Sequence, residues 1–394
     1  MLARPGLSQT GLASSGLSNP GVGGSSLNPL SQNLVIDYPL VTDLIDQKGA
    51  ADGTVTRSTV GNYVSNTSGL LTQAAINAPR FEVPGLMCEG AATNYCLYNE
   101  DLTNAAWNFS SNVNALTKDT TVRDPEGGFN AWKLEATATG AAYLAQVTAG
   151  LNSNSGSVWL RKGNVDSCSW GMLANPASTF MENVDLSGGE WVRRTGVASG
   201  ASDSILLAVN EDNIFGSSNP GDYILVYLPQ LQDGVVPTSD IKTAASSVTR
   251  TSEQASLDDA NLPAPGAAQT IAFDFTIIGD LGSTQSLWKV NGETTPRRAL
   301  VSGASRCQLY FGTNFVQSGV DSVDPKQTYR AVISSDGANF TGYIDNVSLG
   351  TAAVAGIGGT PTDILLNHSN TGHFHIKNFR VYDTDITADE VKYA

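Results

Sequence analysis

Ile271-Ala272-Phe273-Asp274-Phe275-Thr276-Ile277 is the stretch on which the fold turns. Ile271, Phe273, Phe275 and Ile277 fall on one side of a period-2 pattern, and Ala272, Asp274 and Thr276 on the other. That is the signature of a strand with one face against a core. Arg306-Cys307-Gln308-Leu309-Tyr310-Phe311 alternates in the same way. Gly156–Leu160, Ser204–Val209 and Tyr223–Leu228 are further strand-length runs. Asp124-Pro125, Asn291-Gly292 and Asp336-Gly337 punctuate the chain as turns. Short helical pieces are expected only near Asn99–Ala106 and Ala388–Tyr393. Many short strands with Gly-rich turns predict an all-β protein built from sandwiches.

Length and composition agree with that class. The chain has 394 residues, 41% hydrophobic and 15% charged, where about 25% charged is usual. Its surface is therefore largely polar but uncharged. A length above about 250–300 residues favours more than one core. A boundary is expected at 258–266, where Pro263, Pro265 and Gly266 cluster. Net charge is −15, which repels nucleic-acid phosphates and anionic membranes, so neither is an expected partner. No apolar run approaches the ~20 residues of a membrane span. The opening Met1–Gly6 has no apolar leader, predicting synthesis in a cytoplasm. Cys88, Cys96, Cys168 and Cys307 are scattered, as reduced, buried thiols would be. The Asn-x-Ser/Thr triplets at Asn66, Asn108, Asn339, Asn346 and Asn367 then mean only a Ser/Thr-rich surface.

Residues 1–33 read differently. From Gly6 the chain runs in fives, each with one aliphatic residue: Leu7, Leu12, Leu17, Val22 and Leu27. Five small aliphatics cannot offset the entropy of ordering such a segment alone. It reads either as a flexible tail or as an extended arm that docks those five side chains into another protein.

Two resemblances sharpen the picture. Arg57-Ser58-Thr59, Tyr63-Val64, Gly69-Leu70-Leu71 and Ala78-Pro79-Arg80-Phe81 are followed by Glu89–Asn94, Leu97–Leu102 and Asn104–Trp107. Leu228–Gly234, Pro237–Ile241 and Val248-Thr249-Arg250 close the run. Together these resemble bacteriophage tail fibres, tail spikes and head fibres that enclose a jelly roll similar to carbohydrate-binding modules. The sequence departs from that pattern at Cys88, Cys96 and Asp240. Further on, Tyr329–Ile333, Asp336–Asp345 and Ile376–Tyr382 resemble the concanavalin A-like, laminin G-like lectin sandwich. The resulting division is an arm at 1–33, a β-rich segment at 34–84, a jelly roll at 85–257, a linker at 258–266 and a lectin-like sandwich at 267–394.

The resemblance implies a non-catalytic virion structural protein, a fibre, spike or capsid decoration on the virion surface. It would hold other virion proteins through its arm and a host surface glycan through its sandwiches, most simply as a homotrimer. A capsule-degrading tail spike and a cellular carbohydrate-binding module are the competing readings. The residues themselves disfavour catalysis: there is no G-x-S-x-G, no P-loop, no H-E-x-x-H and no Glu-x-Asp-x-x-Glu strand.

Sugar rings stack on exposed aromatics. Trp159, Trp170, Trp288, Tyr310 and Tyr343 are candidates, and a buried core place is the commoner fate of each. Trp159 points away from Val158 and Leu160, and Tyr310 from Leu309 and Phe311, so these two are the expected glycan contacts. His373 and His375 share a strand face and could chelate a metal if a third ligand joined them. No cofactor is expected otherwise, although Asp336, Asp345 and Asn346 offer turn oxygens that could take calcium.

Overall fold

The computed structural model describes residues 33–48, 51–113, 116–148, 154–174, 177–198, 204–209, 217–234, 236–258, 261–279, 284–387 and 390–391. The arm residues Leu7, Leu12, Leu17, Val22 and Leu27 lie outside them, as does most of Ala388–Tyr393. The described chain is all-β, with 29 strands and no α-helix. The helical piece expected at Asn99–Ala106 is a run of turns. Asp101 Oδ1 accepts the Thr103 N–H at 3.2 Å and Asn104 Oδ1 the Ala106 N–H at 3.0 Å. Such side-chain bonds two residues ahead compete with helix formation.

Gln269–Ile277 is a strand in the middle of an antiparallel sheet, between Thr328–Ser335 and Phe374–Tyr382. Facing it is a seven-stranded sheet that includes Gln285–Glu293, Arg298–Val301, Cys307–Phe311 and Asn314–Gln317. The alternation read from sequence is the packing pattern: Ile271, Phe273, Phe275 and Ile277 all enter one core. At its centre Phe273, Trp288 and Phe379 pack with ring centroids 5.6–6.0 Å apart. Trp288 meets both neighbours edge-to-face, the arrangement aromatic quadrupoles favour.

A second sandwich lies within residues 92–250. Its seven-stranded sheet runs through Tyr223–Asp233, Asn154–Lys162 and Val192–Val197. Its five-stranded sheet runs through Ser167–Ala174 and Ser204–Ala208. Val158, Leu160, Trp170, Leu207 and Val226 meet in its core.

The strands do not follow the linear division of the sequence. Leu34–Tyr38 and Gly85–Cys88 both pair with Phe374–Tyr382, and Thr54–Thr56 pairs with Gln254–Asp258. Gln254–Asp258 in turn pairs with Gly359–Leu366. So strands from 34–88 and 254–258 complete the two sheets of the C-terminal sandwich, and the sandwich at 92–250 is an insertion within it. Neither the segment expected at 34–84 nor the boundaries at 85 and 258 separate the sheets. Pairing between residues more than 100 positions apart leaves no local mark, which is why a Pro/Gly cluster was the more visible signal. Gly85 shows how tight the joint is. Its φ is +133°, and an added Cβ would lie 2.5 Å from the Ile376 carbonyl oxygen, so the turn demands glycine.

The insertion leaves after Cys88 and returns before Gln254, and there the Glu253 N–H donates to the Glu89 carbonyl at 2.9 Å. A buried charge network fills this junction. Glu253 holds Arg57 and Arg80, and Glu89 holds Arg80 (2.7 Å) and Arg250. All five side chains are at most 2% exposed. Burial alone would push the Glu89 carboxyl up, but Arg250, Arg80 and the Ser239 hydroxyl hold it well below the usual carboxylate range. All but Glu253 are the charged members of Arg57-Ser58-Thr59, Ala78-Pro79-Arg80, Glu89-Gly90 and Val248-Thr249-Arg250. The motif set behind the first resemblance therefore ties the inserted sandwich to its host.

Candidate functional site

The outward face of the C-terminal seven-stranded sheet carries one cross-strand row, Lys289, Arg298, Tyr310 and Phe315, set by register. The inward residues beside it, Ala299, Leu309 and Val316, fill the core. Alternation thus forces the row outward. Phe315 is 43% exposed. Its ring lies 4.8 Å from that of Tyr310, tilted by 30°. The Arg298 guanidinium sits 4.3 Å from the Tyr310 centroid on the neighbouring strand. Tyr310 Oη donates to Gln308 Oε1 at 3.2 Å, and Gln308 Nε2 to Gln317 Oε1 at 2.8 Å. Two rings are thereby held beside a cation and two amides without a cleft. Among the described residues Lys289 and Arg298 form no salt bridge. His368 lies close to both: burial first, then Lys289 and Arg298, push its pKa down to about 4, so it is neutral at pH 7.

This surface suits stacking against the apolar face of a sugar, with amide and cation groups for its hydroxyls. Its titratable members are Lys289, Arg298, Tyr310 and a neutral His368 imidazole. Tyr310 was expected here from its alternation. Phe315 and Arg298 were not singled out, although the tight Gly312-Thr313 turn that sets Phe315 opposite Tyr310 is visible in the sequence.

Trp159 also points outward from its sheet, but another part of the chain covers it. The hairpin Gly61–Val64 and Leu71–Ala74 lies over that face. Its Leu71 and Val64 pack with Trp159, Trp191, Tyr227 and Leu228. The Trp159 indole N–H donates to Asp240 Oδ2 at 2.8 Å, and Arg193 holds the other carboxylate oxygen at 3.1–3.2 Å. The structure thus makes Trp159 a half-buried packing residue rather than an open sugar platform, and gives the departure at Asp240 a local role. Trp170, Trp288 and Tyr343 are buried.

His373 and His375 are not brought to one metal. His375 Nε2 lies 2.9 Å from Glu82 Oε2, whereas His373 lies beside Gly90. Burial above all pushes His373 down to about 4, with Arg250 and Arg80 opposing the pull of Glu89. No group of three or more His, Cys, Asp or Glu able to hold a metal occurs among the described residues. Of the calcium candidates, Asp336 Oδ1 accepts the Ala338 and Asn339 N–H groups and Asp345 Oδ1 that of Arg330. All four cysteines are free and buried.

No family model matches the chain, and no curated protein does. Among solved structures, a mutant Trypanosoma rangeli sialidase with trans-sialidase activity is similar at 13% identity and TM-score 0.30, over 36% of this chain and 25% of the sialidase. The binding domain of botulinum neurotoxin serotype D is similar at 9% identity and TM-score 0.29, over 36% of this chain and 40% of that domain. The CBM40 of Ruminococcus gnavus IT-sialidase, bound to α2,3-sialyllactose, is similar at 14% identity and TM-score 0.26, over 32% of this chain and 80% of the module.

Proposed function

We propose that this chain is a non-catalytic, glycan-binding structural protein of a bacteriophage particle. The observation that carries the binding half is the outward row of Arg298, Tyr310 and Phe315, two ordered rings beside a cation, with Phe315 exposed. The phage half is supported by the resemblance over 57–107 and 228–250. Four charged residues of that resemblance, Arg57, Arg80, Glu89 and Arg250, meet in one buried junction here. Adhesion would come from many shallow contacts, multiplied by copy number on the particle. The five aliphatics of the arm would seat on a capsid or tail protein, and the particle-bound form would be a trimer.

The test uses the full chain and polysaccharide from susceptible and resistant hosts. Retention on the susceptible polysaccharide without release of reducing ends is expected. Reducing ends released in proportion to protein, and abolished by one Asp or Glu substitution, would replace this reading with the depolymerase. Deleting residues 1–33 should leave a folded protein that no longer enters particles, and normal incorporation would remove the arm from the account.

A further inference from the structure

The outward face of the C-terminal seven-stranded sheet is sorted by chemistry in strand order. That order runs Thr54–Thr56, Gln254–Asp258, Gly359–Leu366, Gln285–Glu293, Arg298–Val301, Cys307–Phe311 and Asn314–Gln317. Asp258 and Asp363 stand opposite each other on the second and third strands. Lys289 and Arg298 stand opposite each other on the fourth and fifth, and Tyr310 and Phe315 on the last two. The remaining carboxylate of these strands, Glu293, is buried against Arg297 at 2.6 Å.

The two acids already have partners. Asp363 Oδ2 accepts from Ser256 Oγ at 2.7 Å and its Oδ1 from Asn291 Nδ2 at 3.1 Å. Asp258 Oδ2 accepts the Ala51 N–H at 2.9 Å. Lys289 faces Leu365, not Asp363, across the ladder. Neither Lys289 nor Arg298 forms a salt bridge among the described residues. Both are half-buried, as long cations are when their stems lie on a sheet and their charged ends reach water. A neutral ligand on the rings would leave this positive strip without an anion.

The rings set the length of the ligand. Tyr310 has the Arg298 guanidinium 4.3 Å from its centroid on one neighbouring strand and Phe315 at 4.8 Å on the other. Phe315, 43% exposed, therefore offers the open ring face. From Phe315 to Lys289 is three strand spacings, about 14 Å, more than one pyranose ring spans. We infer that this face takes an acidic oligosaccharide laid across the strands. An anionic sugar unit sits at Arg298 and Lys289, and the apolar face of a further unit lies on Phe315. The anion is a carboxylate or a phosphate ester, either of which accepts from guanidinium and ammonium groups. The inference rests on the glycan-binding reading above and adds the charge and the minimum length of the ligand.

The test places the full chain on bacterial surface polysaccharides, each immobilised native, carboxyl-reduced and dephosphorylated. Every polysaccharide retained is expected to be acidic, and one of the two treatments should lower its retention at least tenfold. Loss on reduction identifies a carboxylate, loss on dephosphorylation a phosphate ester, and both results retain the site. Salt at 1 M, where the screening length is about 3 Å, should lower native retention in the same way. Arg298→Gln and Lys289→Gln, with melting temperatures within about 2 °C of wild type, should each weaken native retention and leave the neutralised form unchanged. Phe315→Ala should weaken both. A trisaccharide cut from a retained polymer should compete for the chain at concentrations where its acidic monosaccharide does not. Retention of neutral polysaccharides would overturn the inference and leave glycan binding standing, as would acidic retention that neither treatment nor either cation substitution alters, or equal competition by the monosaccharide. No retention of any polysaccharide in any form would remove glycan binding itself, and this inference with it.

Discussion

The two sandwiches each turn aromatic side chains outward from a sheet, and the outcomes are opposite. In the insertion, Trp159 and Tyr227 meet Leu71 and Val64 of a hairpin from the N-terminal segment and become a second, smaller core. In the C-terminal sandwich, Tyr310 and Phe315 pack on each other beside the Arg298 guanidinium and the Gln308 amide. Strand alternation decides which way a ring points. Whether it stays open is decided by a segment about ninety residues away in sequence. A sheet face that another segment covers is scaffold, and one left bare is where binding can occur.

The comparison breaks most severely at the junction that lets the hairpin reach the insertion. Glu253→Ala would strand Arg57 and Arg80 without their shared carboxylate, a loss of about 3–5 kcal/mol typical of breaking a buried ion pair. Guanidinium denaturation should show it, and a loss under about 1 kcal/mol would mean the network does not hold the two sandwiches together. Leu71→Ala acts on the cover itself. It should cost about 2 kcal/mol, the low end for a buried Leu at a small interface, and shift Trp159 fluorescence to the red. An unshifted spectrum would show that the hairpin is not what shields the indole.

Acid provides a milder probe. His368 and His373 are held near 4 in the folded protein against about 6.5 when unfolded. The unfolded chain therefore binds more protons between those values, so stability is complete above about pH 6.5 and falls as pH drops toward 4. Glu89, held below its ordinary value, adds loss in the same direction at lower pH. Denaturation midpoints at pH 7 and 4.5 should differ accordingly, and His373→Asn should shrink the difference. Smallest of all in stability is Phe315→Ala. An exposed ring should change folding by under about 0.5 kcal/mol, yet cost about tenfold in glycan affinity, or about 1.4 kcal/mol.

Much of this was legible in the sequence, and what was not shares one cause. The alternation at Ile271–Ile277 foretold both the strand and its inward face, and the alternation at Cys307–Phe311 foretold an outward Tyr310. Trp159 obeyed the same rule and was still misplaced, because the covering hairpin lies at 61–74. Arg57, Arg80, Glu89 and Arg250 stood out only as parts of a familiar pattern. That they converge on one buried site depends on pairings such as Leu34 with Tyr382 and Ala255 with Leu366. Such pairings are set by long-range packing, and local propensity carries no trace of them.

The proposed function places glycan binding without cleavage on the outward aromatic row of Tyr310 and Phe315. Binding of the full chain to an array of bacterial surface glycans tests this most directly, with wild type, Tyr310→Ala, Phe315→Ala and Trp159→Phe compared on every glycan retained. The account predicts that the first two substitutions each lower retention about tenfold, while Trp159→Phe leaves it unchanged. Retention by Tyr310→Ala and Phe315→Ala at the wild-type level, with loss in Trp159→Phe, would place the binding face on the other sandwich and contradict it.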